Sequence, residues 1–172
     1  LNAMSVIENI IDQDSISNSN DSYDVNCIQQ NEDEVVNIND LLNSIIGFLL
    51  KSSFFSKKIK VNFVNTNHIF DVIIDYKYFT SALENLFSYI FYILNKNSEV
   101  NIVISKLNKK NFFPGEIIIK SANLNVEKLY NCNLDSVINI MELHGAKLTF
   151  MTVPNSNVTA IKILLPGYRV IK

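Results

Sequence analysis

The chain lacks features that mark several classes of protein. No apolar run approaches the roughly 18 residues of a membrane-spanning helix, so we expect no membrane span and no membrane partner. No charged-then-apolar leader is visible, and secretion is not expected. The two cysteines, Cys27 and Cys132, have no metal-ligand spacing, which predicts free thiols in a reducing compartment, the cytoplasm. Arg169 is the single arginine and the lysines are scattered, which argues against a nucleic-acid partner.

Basic residues are also missing from the first 50 positions. That segment carries nine acidic residues, whereas residues 51–172 hold all 15 basic residues against eight acidic ones. The net charge of −2 therefore combines an acidic arm with a mildly basic body. Two interpretations stay open: a solvated arm, or an arm that contacts the body or a second copy through Ile7, Ile10 and Ile11.

Composition divides the chain into three parts. Residues 1–3 before Met4 resemble a scar of tag removal, and residues 12–34 are polar, acidic and rich in Asn and Ser. Residues 1–34 are therefore interpreted as scar plus acidic arm, with a short helix predicted from Ser5. Residues 35–168 are predicted to form one folded domain, and residues 169–172 a tail.

Apolar periodicity predicts the secondary structure of the domain. Helices are expected after the capping residues Asn39 and Asp75, and a third over residues 134–144, where Gly145 ends it. Strands are predicted over residues 60–64, 68–74, 100–107, 116–120, 148–153 and 159–165. The order α, β, β, α, β, β, α, β, β predicts a two-layer α/β (α+β) sandwich, in which one mixed sheet has helices on one face.

Three blocks of sequence lie in the order and at the spacing of a known domain. Residues 75–92 (DYKYFTSALENLFSYIFY) look like the helix that carries the N box of sensor histidine kinases. Residues 116–126 (EIIIKSANLNV) take the place of the kinases' strand and Asp-x-Gly-x-Gly loop, and residues 131–145 (NCNLDSVINIMELHG) resemble Gly-x-Gly-Leu and the helix that ends in Glu-Leu-His-Gly.

Over about residues 37–166 the chain thus resembles the histidine-kinase-like ATPase domain, in the wider GHKL (Bergerat) family with gyrase and MutL. The resemblance implies that family's sandwich and a role in bacterial two-component signalling.

The resemblance also places the family's ATP-contacting positions on residues of different chemistry. The first Asn of the N box matches Asn85, but the magnesium-binding Asn corresponds to Tyr89, and a phenol cannot replace a hard amide oxygen there. The Asp that binds adenine corresponds to Ser121. The four glycines of the two loops correspond to Asn123, Asn125, Asn131 and Asn133. Asn tolerates a left-handed backbone, but its side chain occupies space through which a backbone approaches phosphate.

The interval that holds the ATP lid in active kinases is short here. Only residues 126–130 separate Asn125 from Asn131, which leaves no room for a long mobile segment. We therefore interpret the seven changed or retained positions above as a vestigial nucleotide pocket, filled from within by Tyr89, Tyr92 and the asparagine loops. This predicts no ATP binding, no cofactor, no metal site, no catalytic residue, and no ATPase or kinase activity.

No residue stands out as a phosphoacceptor. The kinases' phosphorylated His lies on a helical hairpin in a His-Glu/Asp-Leu-Arg setting, and this chain has no such motif. The resemblance matches His144 to the structural His of the Glu-Leu-His-Gly turn, and His68, before a strand, is interpreted as structural too.

Three functions stay open. The preferred one is an inert pseudokinase domain that docks a response-regulator receiver domain or a partner histidine kinase, with a homodimer as a further partner. The second is the C-terminal part of a ChpT-like histidine phosphotransferase, whose losses are most similar to these and whose His-bearing hairpin is missing from this chain. The third is an active ATP-binding domain with atypical loops.

Overall fold

The computed structural model describes residues 33–52, 59–65, 70–107, 112–152 and 158–171. The predicted helix at Ser5, the isoleucines of the acidic arm, Cys27 and His68 lie outside the described residues. The elements are, in chain order, β1 (Glu34–Asn37), α1 (Ile38–Lys51), β2 (Lys60–Asn65), β3 (Asp71–Ile74), α2 (Tyr76–Ile93), β4 (Glu99–Lys106), β5 (Gly115–Ser121), α3 (Val126–Tyr130), α4 (Asp135–Leu143), β6 (Lys147–Thr152), β7 (Thr159–Leu165) and β8 (Val170–Ile171).

The main sheet has five strands in the order β2-β4-β5-β7-β6. β2 runs parallel to β4, and the other neighbours are antiparallel, so the sheet is mixed. Every second residue of β4 is buried on one face, as Val100, Ile102 and Ile104 show. The predicted two-layer sandwich with a mixed sheet is confirmed.

The helices of the second layer pack in a row with α2 in the middle, between α1 and α4. Phe79, Leu83, Leu86, Phe87 and Ile90 lie on one stripe of α2 and are fully buried. Their spacing of three and four residues is the reason that one face of this helix meets the core. No helix among the described residues is long and apolar enough to cross a bilayer.

A second, three-stranded antiparallel sheet has the order β1-β3-β8. The sequence predicted neither β1 nor β8, and it placed a tail from residue 169. That boundary is wrong, because Val170 and Ile171 pair with Val72 and Asp71 of β3. Two-residue strands carry no periodicity, so a sequence pattern cannot reveal them.

The N-cap of α1 lies two residues before the predicted one. The side chain of Asn37 accepts hydrogen bonds from the backbone N–H groups of Asn39 (3.1 Å) and Asp40 (3.2 Å). Its amide also donates to Asp71 Oδ1 at 3.0 Å. Asn37 therefore ends β1, ties it to β3 and starts α1 with a single side chain.

Candidate functional site

The N-box positions lie on α2, but they differ in burial. Asn85 is exposed, and Tyr89 is half-buried with its ring packed against the core. Tyr92 is 67% exposed, so it does not fill an internal space as predicted. The helical spacing explains the difference, because Tyr89 borders the buried stripe while Asn85 and Tyr92 lie outside it.

The position matched to the adenine-binding Asp lies at the end of β5. Ser121 is 3% exposed, and its hydroxyl accepts a weak hydrogen bond from the N–H of Asn123 at 3.4 Å. The amide of Asn123 donates to the hydroxyl of Ser98 at 3.2 Å, which links the turn after β5 to the turn before β4. These polar groups therefore stabilise the local turns.

The remaining asparagines shape the two ends of α3 and the start of α4. The side chain of Asn125 caps α3 by accepting from the N–H of Lys128 at 3.0 Å. Asn131 is the C-cap, and its N–H donates to Glu127 O at 3.1 Å. Asn133 accepts from the N–H of Asp135 at 3.3 Å. The side chains of Asn125 and Asn133 thus each complete a backbone turn, whereas Asn131 contributes only its main-chain N–H.

None of these asparagines has the left-handed backbone that would suit a former glycine. Asn125 is extended with φ of −98°, and Asn131 is right-handed with φ of −76°. Among the described non-glycine residues, Asn97 alone has a positive φ. The loops are therefore rebuilt with ordinary backbone geometry, which the sequence did not predict.

The segment in the place of the lid is a single anchored turn of helix. Leu129 of α3 is fully buried, and the ring of Tyr130 contacts that of Phe150 on β6 with centroids 5.1 Å apart. The caps at Asn125 and Asn131 satisfy the backbone at both ends. A five-residue helix is too short to be stable alone, so these contacts hold it.

An open groove of about 510 Å³ lies between the end of α2 and α3. Its walls are Tyr92, Ile93, Leu94, Asn95, Lys128, Asn131 and Cys132. Of the seven predicted pocket residues, this groove contains Asn131 alone. The sequence missed Lys128 as a wall residue, although its place in the shortened interval was a signal.

The groove brings one cation, Lys128, beside amide, phenol and thiol groups. The thiol of Cys132 is engaged locally, since it contacts the backbone oxygen of Lys128 at 3.5 Å. The described residues contain no group of three or more His, Cys, Asp or Glu side chains that could hold a metal ion.

His144 links α4 to the start of α2. Its ring is buried, Nδ1 lies 2.8 Å from Ile140 O, and the backbone N–H of Asp75 donates to Nε2 at 3.1 Å. The Asp75 contact needs an acceptor at Nε2, which assigns the proton to Nδ1. Phe79 meets the ring edge-on at 5.1 Å between centroids. With both nitrogens engaged, this histidine has a structural role.

No protein-family model matches the chain, and no curated protein sequence matches it. Solved structures do match. The catalytic domain of histidine kinase ThkA superposes with a TM-score of 0.63 over 79% of this chain and 96% of that domain. The fold is that of a histidine-kinase catalytic domain.

Further solved structures agree with this histidine-kinase fold. The ATP-binding domain of PrrB from Mycobacterium tuberculosis has a TM-score of 0.57 over 78% of this chain and 97% of that domain, at 16% identity. Full-length ShkA, solved in complex with AMPPNP, has a TM-score of 0.60 over 78% of this chain and 31% of its own, at 11% identity. ThkA is 16% identical. At such low sequence identities the structural similarity shows the fold alone, so function has to be argued from the individual residues.

Proposed function

We propose that this chain is a histidine-kinase-like domain without nucleotide chemistry, which acts by protein contact in cytoplasmic two-component signalling. The observation that carries the proposal is α3. A lid must move away from the domain and close over the nucleotide. The segment in its place here is α3, in which Leu129 is buried and Tyr130 packs on Phe150. A segment held at both ends and in the middle cannot move in this way without breaking those contacts.

The residues at the ligand positions do not fit magnesium-ATP either. Tyr89 offers a phenol at the metal position, and its ring packs against the core. Ser121 lacks the second oxygen of a carboxylate and already contacts Asn123. We therefore assign to a vestigial nucleotide pocket the residues Asn85, Tyr89, Ser121, Asn123, Asn125, Asn131 and Asn133.

A titration with magnesium-ATP tests this proposal. We expect no binding heat and no rise in melting temperature at millimolar ATP. Binding would be visible in this assay, because a ligand at about 100 times its Kd would add about 2.7 kcal/mol of stability. The ATP-binding domain of PrrB, titrated under the same conditions, is the positive control. A magnesium-dependent rise in this chain's melting temperature would show that the nucleotide site still works.

Three large, exposed apolar side chains on neighbouring segments support a protein-contact role. Phe112 is 75% exposed, Leu143 is 80% exposed, and Tyr168 is exposed as well. Two contacts bring their chain segments near one another: the N–H of Gly167, next to Tyr168, donates to Phe112 O at 3.1 Å, and the hydroxyl of Tyr168 lies against Gly145, two residues after Leu143. Large apolar side chains that are exposed near one another are typical of interaction sites.

We propose a response-regulator receiver domain or a partner histidine kinase as the protein that binds. Purified receivers and kinases of the same genome, immobilised one at a time, would measure this directly. We expect one of them to bind, and Leu143→Glu to abolish that binding. Asn139→Glu, an exposed substitution on the same helix, is the matched control. Absence of binding to every receiver and kinase would refute the docking role but leave the ATP result unaffected.

A further inference from the structure

In the part of the chain that the structure describes, β6 is an edge strand of the main sheet. Among the described strands it pairs with β7 alone, through all six of its residues from Lys147 to Thr152. Edge strands of soluble proteins are usually protected by several charges, a proline or a bulge. The sequence of β6, KLTFMT, has one charge and no proline, and its ladder with β7 runs without a bulge.

Apolar side chains flank this edge on both faces of the sheet. On the helix face, Phe150 is half-buried and carries the ring of Tyr130, which is 62% exposed. On the outer face, Met151 is 42% exposed. An unpaired edge with exposed apolar groups on both sides is suited to receive another strand.

We propose that the partner is a second copy of this chain, and that the two β6 strands pair antiparallel about a two-fold axis. The sequence favours self-pairing because one register pairs threonine with threonine and apolar with apolar side chains at the three central positions. With Thr149 opposite Thr149 of the second copy, Leu148 faces Phe150 and Lys147 faces Met151. Threonine pairs and apolar pairs are favourable across antiparallel strands.

This register also keeps the two sheets continuous. Leu148 and Phe150 pair with the core residues Ile163 and Ile161 of β7, so both lie on the helix face. A two-fold axis through Thr149 places the helix-covered faces of the two sheets on the same side. A shift by one residue would instead place the apolar side chains of one copy opposite the outer-face side chains of the other. The only charge on β6, Lys147, does not meet its own copy.

A pair of opposite charge variants tests the interface. We expect the wild-type chain to sediment at twice its 19.6 kDa mass at high micromolar concentration. Thr149→Lys and Thr149→Glu should each weaken self-association at least about tenfold, because like charges meet at the axis. An equimolar mixture of the two variants should recover the dimer mass, since opposite charges then meet.

Val103→Lys and Val103→Glu are the matched controls. Val103 lies on the outer face of the interior strand β4, where it pairs with Ile118 and lies away from the β6 edge. Both controls should remain dimeric, and circular dichroism should show that all four variants fold. A wild-type chain that is still monomeric at about 200 µM, a concentration at which a weak dimer would form, would overturn the proposal. Thr149 variants that dimerise as well as the controls would overturn it too.

Cysteine cross-linking tests the register. In a Cys27→Ser/Cys132→Ser background, Thr149→Cys should form a disulfide between copies, because directly opposite residues lie about 4.5–5.5 Å apart between Cα atoms. Met151→Cys, which faces Lys147 of the second copy, should cross-link far more slowly. Faster cross-linking at position 151 than at 149 would reject this register.

Discussion

At the scale of single residues, His144 joins two helices through both of its ring nitrogens. Replacement by Ala would leave the N–H of Asp75 and one lone pair of Ile140 O without these partners in a largely buried place. An unsatisfied buried group costs about 1–3 kcal/mol. We expect His144→Ala to lower the free energy of unfolding by that amount in urea denaturation.

The control for His144 is its neighbour Glu142, which is exposed on the same turn. Exposed substitutions usually change stability by less than about 0.5 kcal/mol. If His144→Ala unfolds at the same urea concentration as Glu142→Ala, the bridge between α4 and α2 contributes nothing, and our structural assignment fails.

Two tyrosines on α2 form a natural matched pair. Tyr89 packs against the core, whereas Tyr92 is mostly exposed. We expect Tyr89→Asn to cost about 1–2 kcal/mol through lost apolar burial, and Tyr92→Asn to be nearly neutral. Tyr89→Asn should not restore ATP binding, because Ser121 and α3 remain. Thermal unfolding with and without magnesium-ATP measures both effects, and equal stabilities of the two variants would contradict the packing argument.

At the scale of elements, the stability of α3 depends on its anchors. Aromatic pairs contribute about 0.5–1.5 kcal/mol beyond their buried area, so Tyr130→Ala should loosen this helix more than the rest of the domain. Amide hydrogen exchange of residues 126–131 should become faster, while that of α2 stays unchanged. Lys128→Ala, exposed on the same helix, is the control. Unchanged exchange in Tyr130→Ala would show that the Phe150 contact does not hold the segment.

The elements also show what the sequence can reveal. The helices α1, α2 and α4 and the strands of the main sheet have enough residues for a period of 3.6 or 2 to be visible. The elements β1, α3 and β8 span two to five residues and exist because Asn37, Leu129 and Val170 find partners far away in the chain. Such long-range contacts leave no local pattern.

In the candidate site, too, some features have a local sequence pattern and others depend on long-range packing. The shortened interval after Asn125 was visible in the sequence, and the structure turns it into an anchored helix. The burial of Tyr89 and the exposure of Tyr92 depend on which face of α2 meets the core at its end. The place of Lys128 in the shortened interval was visible in the sequence, but the groove depends on where α3 packs, so its other walls could not be predicted from the residues alone.

At the scale of the whole molecule, the first and last strands of the domain meet on β3. The guanidinium of Arg169 pairs with Asp33 and donates to Ile73 O at 3.3 Å, while the N–H of Ile73 donates to Arg169 O at 2.8 Å. Asp33 is about half-exposed, so the ion pair itself contributes little, on the order of 0.5 kcal/mol. The backbone pairing and the packing of Val170 contribute the rest.

Removing residues 169–172 should therefore destabilise the domain. The truncation deletes the backbone bonds between β8 and β3 and takes Val170 off Gly115, where the two lie in close contact. We expect a loss of about 2–3 kcal/mol in the free energy of unfolding, since each hydrogen bond contributes about 1 kcal/mol and the partly buried side chain of Val170 less than the roughly 1.5 kcal/mol of full burial. Removal of Lys172 alone is the control. Urea denaturation measures both chains, and equal midpoints would mean that residues 169–171 are a tail after all.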